Sequence, residues 1–408
     1  MFIAIIKLLE VLARSMFILA TSFTLPIEEA GKFGIIVTVI SLFSFVISWE
    51  RYIDLQRVVA GEDKVSFDRN VLDTIQFFIF NYAIFLPIFI FFLGIWVDLS
   101  WPLIALCVLI LVGEQVSQQS YLIALLNKVY KVFLWILLAR SLVLLISVLA
   151  FILINNGSID LDYVACAWAA TSLATVMVIS TMWKFKTDHG RHQNSFSFKE
   201  RIFKQHKASL IHFSIGLLSV LALQFDRLAV GTLLSFTDAG MYFRNVMLAG
   251  FLLQFVNIAC YNRMMPTLLA MGKQGEHQRQ IRCAMRELVK TLTVCVLGGL
   301  ALLVLDKASG GVLFERYALS WLLIVPLFCA VFVRTSGDFG ALILHSRHRE
   351  KRVLAAQAMS VCAGLVLLVF FAPRFQAFGV ALVALCTAFL YATVTIIFVK
   401  SLSRNQSI

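Results

Sequence analysis

Residues 132–154 read VFLWILLARSLVLLISVLAFILI, a run of 23 residues in which Arg140 is the one charged side chain. A helix of about 20 apolar residues spans the hydrocarbon core of a bilayer, so this stretch predicts a transmembrane helix. The whole chain has the same character, because 60% of its 408 residues are hydrophobic and 14% are charged. An average soluble protein has about 25% charged residues. The composition therefore excludes an ordinary water-soluble fold and predicts many membrane crossings.

Twelve apolar windows of this kind, bounded by charged or turn residues, form two sets of six. The windows lie at about 3–24, 33–49, 74–95, 102–125, 132–154 and 163–183, and then at about 209–233, 241–265, 288–305, 318–344, 353–372 and 377–399. We predict an all-α polytopic membrane protein of about 12 transmembrane helices. Its parts would be an N-terminal six-helix lobe at 1–183, a basic cytoplasmic linker at 184–206 and a C-terminal six-helix lobe at 207–408.

The Lys and Arg residues between the windows are concentrated on one side of the predicted membrane. That side has 26 of them, whereas the other side has Lys32, Lys307, Arg316 and Arg374. Because positively charged loops resist translocation, we expect the basic side and both termini to be cytoplasmic. The net charge of +12 is explained by these loops, so we expect no nucleic-acid partner.

The predicted linker contains His189 and His192 among several Lys and Arg residues. A basic segment of this kind can lie against anionic lipid headgroups, so we expect membrane lipids among the partners of the chain. The sequence predicts no metal site here or elsewhere.

A short sequence repeat relates the two sets of windows. Residues 22–33 read SFTLPIEEAGKF and residues 231–242 read GTLLSFTDAGMY. At an offset of 209 residues the matching positions are Glu29 with Asp238, Ala30 with Ala239, Gly31 with Gly240, and Phe33 with Tyr242. Six helices is an even number, so the two copies insert the same way up. This predicts parallel repeats related by an axis along the membrane normal, an arrangement found in transporters.

The stretches PIEEAGKFG at 26–34 and FDRLAVGTLLSFTDAGMY at 225–242 resemble the Wzx-type O-antigen and polysaccharide flippases. These belong to the multidrug/oligosaccharidyl-lipid/polysaccharide (MOP) superfamily. The resemblance implies a MATE-like fold with two lobes around a central cavity, in the inner (plasma) membrane of a bacterium. It also implies an undecaprenyl-diphosphate-linked oligosaccharide as cargo, and other polysaccharide assembly proteins as further partners.

Nine charged residues lie inside the apolar windows. They are Arg14, Arg140, Arg227, Arg244 and Arg334, and the acids Glu10, Glu114, Asp226 and Asp338. An isolated Arg at the bilayer centre costs about 2.5 to 3.5 kcal/mol, so we expect these side chains to be paired or to face a wet cavity. The guanidinium group holds phosphate oxygens bidentately and stays charged. We therefore predict that the five Arg residues bind substrate, while the four acids pair with them or carry a coupling ion.

Three pairs follow from spacing. Glu114 and Arg140 lie at equal depth on consecutive helices, as a structural bridge or as a site where a substrate anion competes for Arg140. Glu10 precedes Arg14 by four residues, which favours an ion pair. Arg334 and Asp338 have the same spacing in a window that Pro326, Gly337 and Gly340 loosen, as a structural pair or a functional hinge.

Asp226 and Arg227 are adjacent in the sequence, so they cannot share one helix face. Arg227 and Arg244 lie about ten and seven residues from the turn near residue 237, at similar predicted depth. Two incompletely neutralised Arg residues at one depth suit a phosphate-bearing group.

The residues favour a flippase that works by alternating access, with no enzymatic chemistry and no cofactor. A small-molecule or drug antiporter of the same superfamily is the main alternative. The loop at 49–64 lacks the Gly-x-x-x-Asp-Arg-x-Gly pattern expected of the major facilitator class. A membrane glycan polymerase or ligase would need a long outer loop, and the longest predicted one covers only about 306–317.

Overall fold

The computed structural model describes residues 2–52, 55, 64–126, 129–155, 157, 159–182 and 198–404. These residues are almost entirely helical, and no β-strand occurs among them. Helices of the first half are α1 (Phe2–Thr24), α2 (Ile27–Ser48), α3 (Lys64–Trp96), α4 (Trp101–Leu126), α5 (Tyr130–Ile154) and α6 (Leu161–Met182). Helices of the second half are α7 (Phe198–Leu233), α8 (Phe236–Val256), α9 (Asn262–Lys273), α10 (His277–Ala308), α11 (Val312–Arg316), α12 (Trp321–His345) and α13 (Glu350–Arg404).

Ten of the described helices are long and apolar enough to cross a membrane. Two features bring this number to the twelve crossings predicted from the sequence. Helix α1 has 23 residues and carries Lys7, Glu10 and Arg14, so its charges alone set it apart from the other ten. Helix α13 has 55 residues and is interrupted at Gln376, where φ is 51° and ψ is −139°. Its two arms are each long enough for one crossing.

Several helices extend beyond their predicted windows. Helices α3, α7 and α10 begin at Lys64, Phe198 and His277, about ten residues earlier than the apolar runs. Their first turns are polar, and helical hydrogen bonds continue through polar turns that a hydropathy window does not detect. Helix α7 thus includes part of the predicted linker. The rest of that linker, with His189 and His192, lies outside the described residues.

The predicted window at 241–265 is not one α-helix. Helix α8 ends at Val256, a π-helical turn covers Asn257–Tyr261, and α9 follows. Single π turns inside helices occur often at functional sites. Here the turn places the Tyr261 ring 5.6 Å from the ring of Phe339 on α12.

The chain forms two compact units. Unit 1 comprises residues 1–25 and 35–217, and unit 2 comprises 26–34 and 218–408. In unit 1, α1 packs along α5 and α4 packs along α6. In unit 2, α12 packs along both α13 and α8. Each unit therefore has its own charged site, described below.

The repeat found in the sequence corresponds to a reciprocal helix crossing in unit 2. Helices α2 and α8 begin at Ile27 and Phe236, which are 209 residues apart, the offset of the repeat. Gly31 lies against the carbonyl oxygen of Phe236, and Gly240 lies against the carbonyl oxygen of Ile27. A Cβ on Gly31 would stand 2.9 Å from the Gly240 nitrogen, and a Cβ on Gly240 would stand 3.1 Å from the Gly31 nitrogen. Equivalent residues of the two copies thus touch one another, and only glycine fits.

Replacing Gly240 by Ala forces these two backbones apart, because the added methyl group meets a carbonyl oxygen rather than a movable side chain. We expect Gly240→Ala to lower the free energy of unfolding by about 1 to 3 kcal/mol, measured by thermal unfolding of the purified protein. Gly299→Ala is the matched control, since no atom lies within 4 Å of the added Cβ. Equal stability of the two variants would contradict the crossing.

Candidate functional site

The buried carboxylate of Glu114 on α4 is the centre of the charged site of unit 1. Its Oε2 atom lies 3.0 Å from Arg14 Nη2 on α1 and accepts a hydrogen bond of 3.2 Å from Arg140 Nη2 on α5. Its Oε1 atom accepts a hydrogen bond of 2.8 Å from Trp168 Nε1 on α6. Four helices are therefore joined at one carboxylate, and the predicted pair of Glu114 with Arg140 is confirmed.

The site of unit 1 has a surplus of positive charge, because two guanidinium groups share one carboxylate. Arg140 is buried, with 4% of its side chain exposed, and its Nη1 atom has no hydrogen-bond partner. Arg14 has 36% of its side chain exposed. Both line a cavity of about 10 Å³, which is room for about one water molecule. An anion that reached Arg14 would find a guanidinium already oriented by Glu114.

The predicted ion pair between Glu10 and Arg14 is wrong. Glu10 pairs instead with Lys7, at 2.8 Å between Nζ and Oε2. Arg14 reaches across to Glu114, since a carboxylate buried on a neighbouring helix and already bonded to Arg140 and Trp168 needs compensating charge most. The sequence spacing gave the two residues one face but not their partners.

Arg334 of α12 is the anchored cation of unit 2. Its Nη2 atom donates to Ser219 Oγ at 3.0 Å, and its Nε atom lies 3.5 Å from Asp338 Oδ1. The guanidinium carbon stands 4.4 Å from the centre of the Tyr391 ring, and the Tyr391 hydroxyl donates to Asp338 Oδ1 at 3.2 Å. The predicted pair of Arg334 with Asp338 is present, with a cation–π contact beneath it. Its role as a hinge stays a prediction.

Asp226 and Arg227 of α7 point in different directions, as their adjacency requires. The hydroxyl of buried Tyr242 donates to Asp226 Oδ2 at 2.6 Å, and the backbone N–H of Arg227 donates to Asp226 Oδ1 at 2.8 Å. Both carboxylate oxygens are thus occupied. The guanidinium of Arg227 has no hydrogen-bond or ion-pair partner among the described residues, and its Nε atom is buried.

A cavity of about 70 Å³ lies among α7, α8, α12 and α13 in unit 2. Asp226, Arg227 and Arg334 supply its charged lining. Apart from Thr387, the other described lining residues are Ala, Gly, Leu and Val. This cavity is mostly apolar with a few charged groups, which is the usual composition of a ligand site.

Arg244 belongs to a different part of unit 2. Its Nη1 atom donates to the Tyr317 carbonyl at 3.3 Å, while the neighbouring Asn245 side chain bonds the Ala318 carbonyl and the Ser320 N–H. Arg244 thus helps to hold the segment between α11 and α12, and it is not part of the described lining of the unit 2 cavity. The structure does not bring Arg244 together with Arg227, although their predicted depths were similar.

The two charged sites occupy repeat-equivalent positions with acid and base exchanged. Helices α4 and α12 begin at Trp101 and Trp321, and the 220-residue separation of these residues places Glu114 on Arg334. The 209-residue offset places Phe17 and Ile18 of the unit 1 cavity on Asp226 and Arg227 of the unit 2 cavity. The repeat therefore provides each half with a cavity at one location but with different charges around it.

Sequence reasoning missed the aromatic and hydroxyl partners of the charged residues. They are Trp168, Ser219, Tyr242 and Tyr391. Each is a single polar atom on a side chain common in membrane helices, so it gives no signal of its own. A polar aromatic group at the depth of an intramembrane charge is the one available hint.

No protein-family model matches the sequence, and no curated protein matches it either. Solved structures do resemble it along nearly its whole length. The inward-facing structure of a multidrug resistance MATE family transporter of the MOP superfamily is 13% identical, with a TM-score of 0.61, and the match covers 98% of this chain and 99% of that one.

The lipid II flippase MurJ, in an inward closed conformation, is 12% identical with a TM-score of 0.63, and the match covers 97% of this chain and 87% of that one. A MOP superfamily transporter from Pyrococcus furiosus is 11% identical with a TM-score of 0.57, covering 98% and 94%. At these identities the likeness shows the fold alone. The chain therefore has the fold of the MOP superfamily transporters, and the predicted all-α polytopic, MATE-like class is confirmed.

Replacing Glu114 by Gln leaves Arg14 and Arg140 without their shared counter-charge. We expect Glu114→Gln to lower the free energy of unfolding by about 3 to 5 kcal/mol, the cost of breaking a buried ion pair from one side. Thermal unfolding of the purified protein measures it. The control is Glu276→Gln, which breaks an exposed ion pair with Arg279 and is expected to cost under about 1 kcal/mol. Losses of the same size at both positions would contradict the central place of Glu114.

Proposed function

We propose that this protein is a flippase for an anionic lipid-linked oligosaccharide. Its cargo would be an undecaprenyl-diphosphate-linked repeat unit of O-antigen or of another surface polysaccharide. Transport would run from the cytoplasmic to the periplasmic leaflet of a bacterial inner membrane, with both termini cytoplasmic. The surplus positive charge around Glu114, where two guanidinium groups share one carboxylate, is the observation that carries the proposal.

Diphosphate chemistry suits this site. A guanidinium forms two parallel hydrogen bonds with phosphate oxygens and keeps its charge at any relevant pH. The partly exposed Arg14 would make the first contact, and Glu114 would keep Arg140 in place behind it. The N-terminal lobe at 1–183 and the C-terminal lobe at 207–408 would alternate access to the cargo. The solved lipid II flippase of the same fold supports a lipid-linked substrate.

A small-molecule or drug antiporter is the second candidate, supported by the MATE transporters of the same fold. Many drugs that such proteins export are cations, and a site with surplus guanidinium groups would repel them. A membrane glycan polymerase or ligase is the third candidate, and no described cluster of His, Cys, Asp and Glu could hold a metal ion for it. The charge at Glu114 therefore favours the flippase.

Deleting the gene in its native host tests the proposal directly. We expect polyprenyl-diphosphate-linked oligosaccharide to accumulate on the cytoplasmic face and surface glycan to be lost, both read by mass spectrometry of extracted lipids and by glycan staining. Complementation with Arg14→Ala should give about tenfold less flipping or lower, since a charged hydrogen bond is worth about 1.5 to 3 kcal/mol. Arg14→Lys should be intermediate, because ammonium cannot bind bidentately.

The control for complementation is Arg349→Ala, which removes an exposed Arg between α12 and α13 and should restore surface glycan fully. Unchanged glycan and precursors in the deletion strain, with no second flippase present, would refute the proposal. Full complementation by Arg14→Ala at normal abundance would remove Arg14 from substrate binding.

The proposed cargo carries negative charge outward, so an inside-negative membrane potential should drive it by about 2.3 kcal/mol per charge per 100 mV. We expect flux in proteoliposomes to rise with a potassium-diffusion potential of this sign and to fall with the opposite sign. The same vesicles test whether Glu10, Glu114, Asp226 or Asp338 carries a coupling proton or sodium ion. Flux that is unchanged when both ion gradients are collapsed would leave these acids with charge pairing alone.

A further inference from the structure

The unit 2 cavity contains a cation that the protein itself does not neutralise. The guanidinium of Arg227 lines the cavity without a hydrogen-bond or ion-pair partner among the described residues. Asp226 does not compensate it by contact, because Tyr242 and the backbone N–H of Arg227 occupy its two oxygens. A buried or half-buried charge without a partner is costly. An anionic ligand would remove that cost.

A second guanidinium in the same cavity is fixed in position. Arg334 is held by Ser219, Asp338 and the Tyr391 ring, yet its Nε atom makes no hydrogen bond. One mobile and one anchored guanidinium on a shared cavity wall form a suitable pair for phosphate oxygens, which each can bind bidentately. The donors left for a ligand thus come from Arg227 and Arg334.

The rest of the cavity offers nothing that sugars require. Its other described lining residues are Ala, Gly, Leu and Val, together with Thr387. The Thr387 hydroxyl already donates to the Ala384 carbonyl at 2.8 Å. Sugar hydroxyls buried without hydrogen-bond partners would carry a large penalty, whereas hydrocarbon packs well against such a wall.

We infer that the unit 2 cavity binds an amphiphilic phosphate, in which a phosphate group is attached directly to a hydrocarbon chain, and that it excludes sugars. This inference rests on the proposed function and deepens it, because the phosphate–prenyl junction of the lipid-linked cargo has this chemistry. Recognition in unit 2 is then independent of the glycan. An ordinary anionic phospholipid shares the chemistry, so the test separates the two sources.

The experiment uses the purified full chain and geranyl diphosphate as a short, sugar-free probe. Binding is measured by calorimetric titration in neutral detergent, and inorganic pyrophosphate and phosphatidic acid serve as comparison ligands. We expect geranyl diphosphate to bind at least about tenfold more tightly than pyrophosphate, since about ten buried carbons add apolar contact. Equal concentrations of phosphatidic acid should leave geranyl diphosphate bound.

Two variants locate the site. Arg227→Gln should weaken geranyl diphosphate and pyrophosphate by about tenfold or more each, since both lose a charged hydrogen bond. Ala384→Leu fills the apolar wall, so it should weaken geranyl diphosphate by about tenfold while leaving pyrophosphate within about twofold. This split cannot come from misfolding, which would abolish both. Arg349→Gln, the same change at an exposed position, should alter neither affinity.

Pyrophosphate binding as tightly as geranyl diphosphate would overturn the amphiphilic ligand. Affinities unaffected by Arg227→Gln would overturn the location. Displacement of geranyl diphosphate by an equal concentration of phosphatidic acid would overturn the assignment to cargo and give the cavity to bilayer phospholipid. A wild-type protein that binds the probe as expected while the deletion strain keeps normal glycan would overturn the proposed function separately, since the binding measurement does not depend on it.

Discussion

A carboxylate inside a membrane helix is stable only where positive charge and hydrogen-bond donors surround it, and Glu114 shows what this requirement does to a fold. Arg14, Arg140 and Trp168 lie on three other helices, and all three side chains converge on the two oxygens of Glu114. Helices that would otherwise slide in contact with lipid-like surfaces are thereby fixed in register. The position of α1 relative to α4, α5 and α6 follows from this one group, and the small cavity beside it follows from that position.

Unit 2 meets the same requirement with different chemistry. Arg334 stands where Glu114 stands in the repeat, so the central buried charge is a cation, and aromatic and hydroxyl groups take over part of the compensation. Asp338 and the Tyr391 ring hold Arg334, while Tyr242 holds Asp226. The duplicated fold thus keeps the location of each cavity and exchanges the sign of the group that organises it. Two halves that began alike can in this way bind different portions of one long substrate.

The sequence predicted the fold class and most helices because apolar length is a local property of the chain. It also predicted the pair of Glu114 with Arg140, since consecutive helices have a known antiparallel register. It could not predict that Arg14 reaches Glu114, because that contact depends on how α1 packs against a helix 100 residues away. The polar first turns of α3, α7 and α10 were missed for a related reason: helical hydrogen bonding does not depend on hydropathy.

The crossing of Gly31 and Gly240 has a consequence for the evolution of this protein. Backbone touches backbone at that point, with no side chain between the two copies, so a substitution at one position cannot be offset by shrinking a neighbour. Relatives that keep the crossing should retain glycine at both positions while the charged residues of the two cavities drift with their cargo. A pair of invariant glycines 209 residues apart, amid otherwise divergent helices, would then mark the shared ancestry of the two halves better than any residue that binds a ligand.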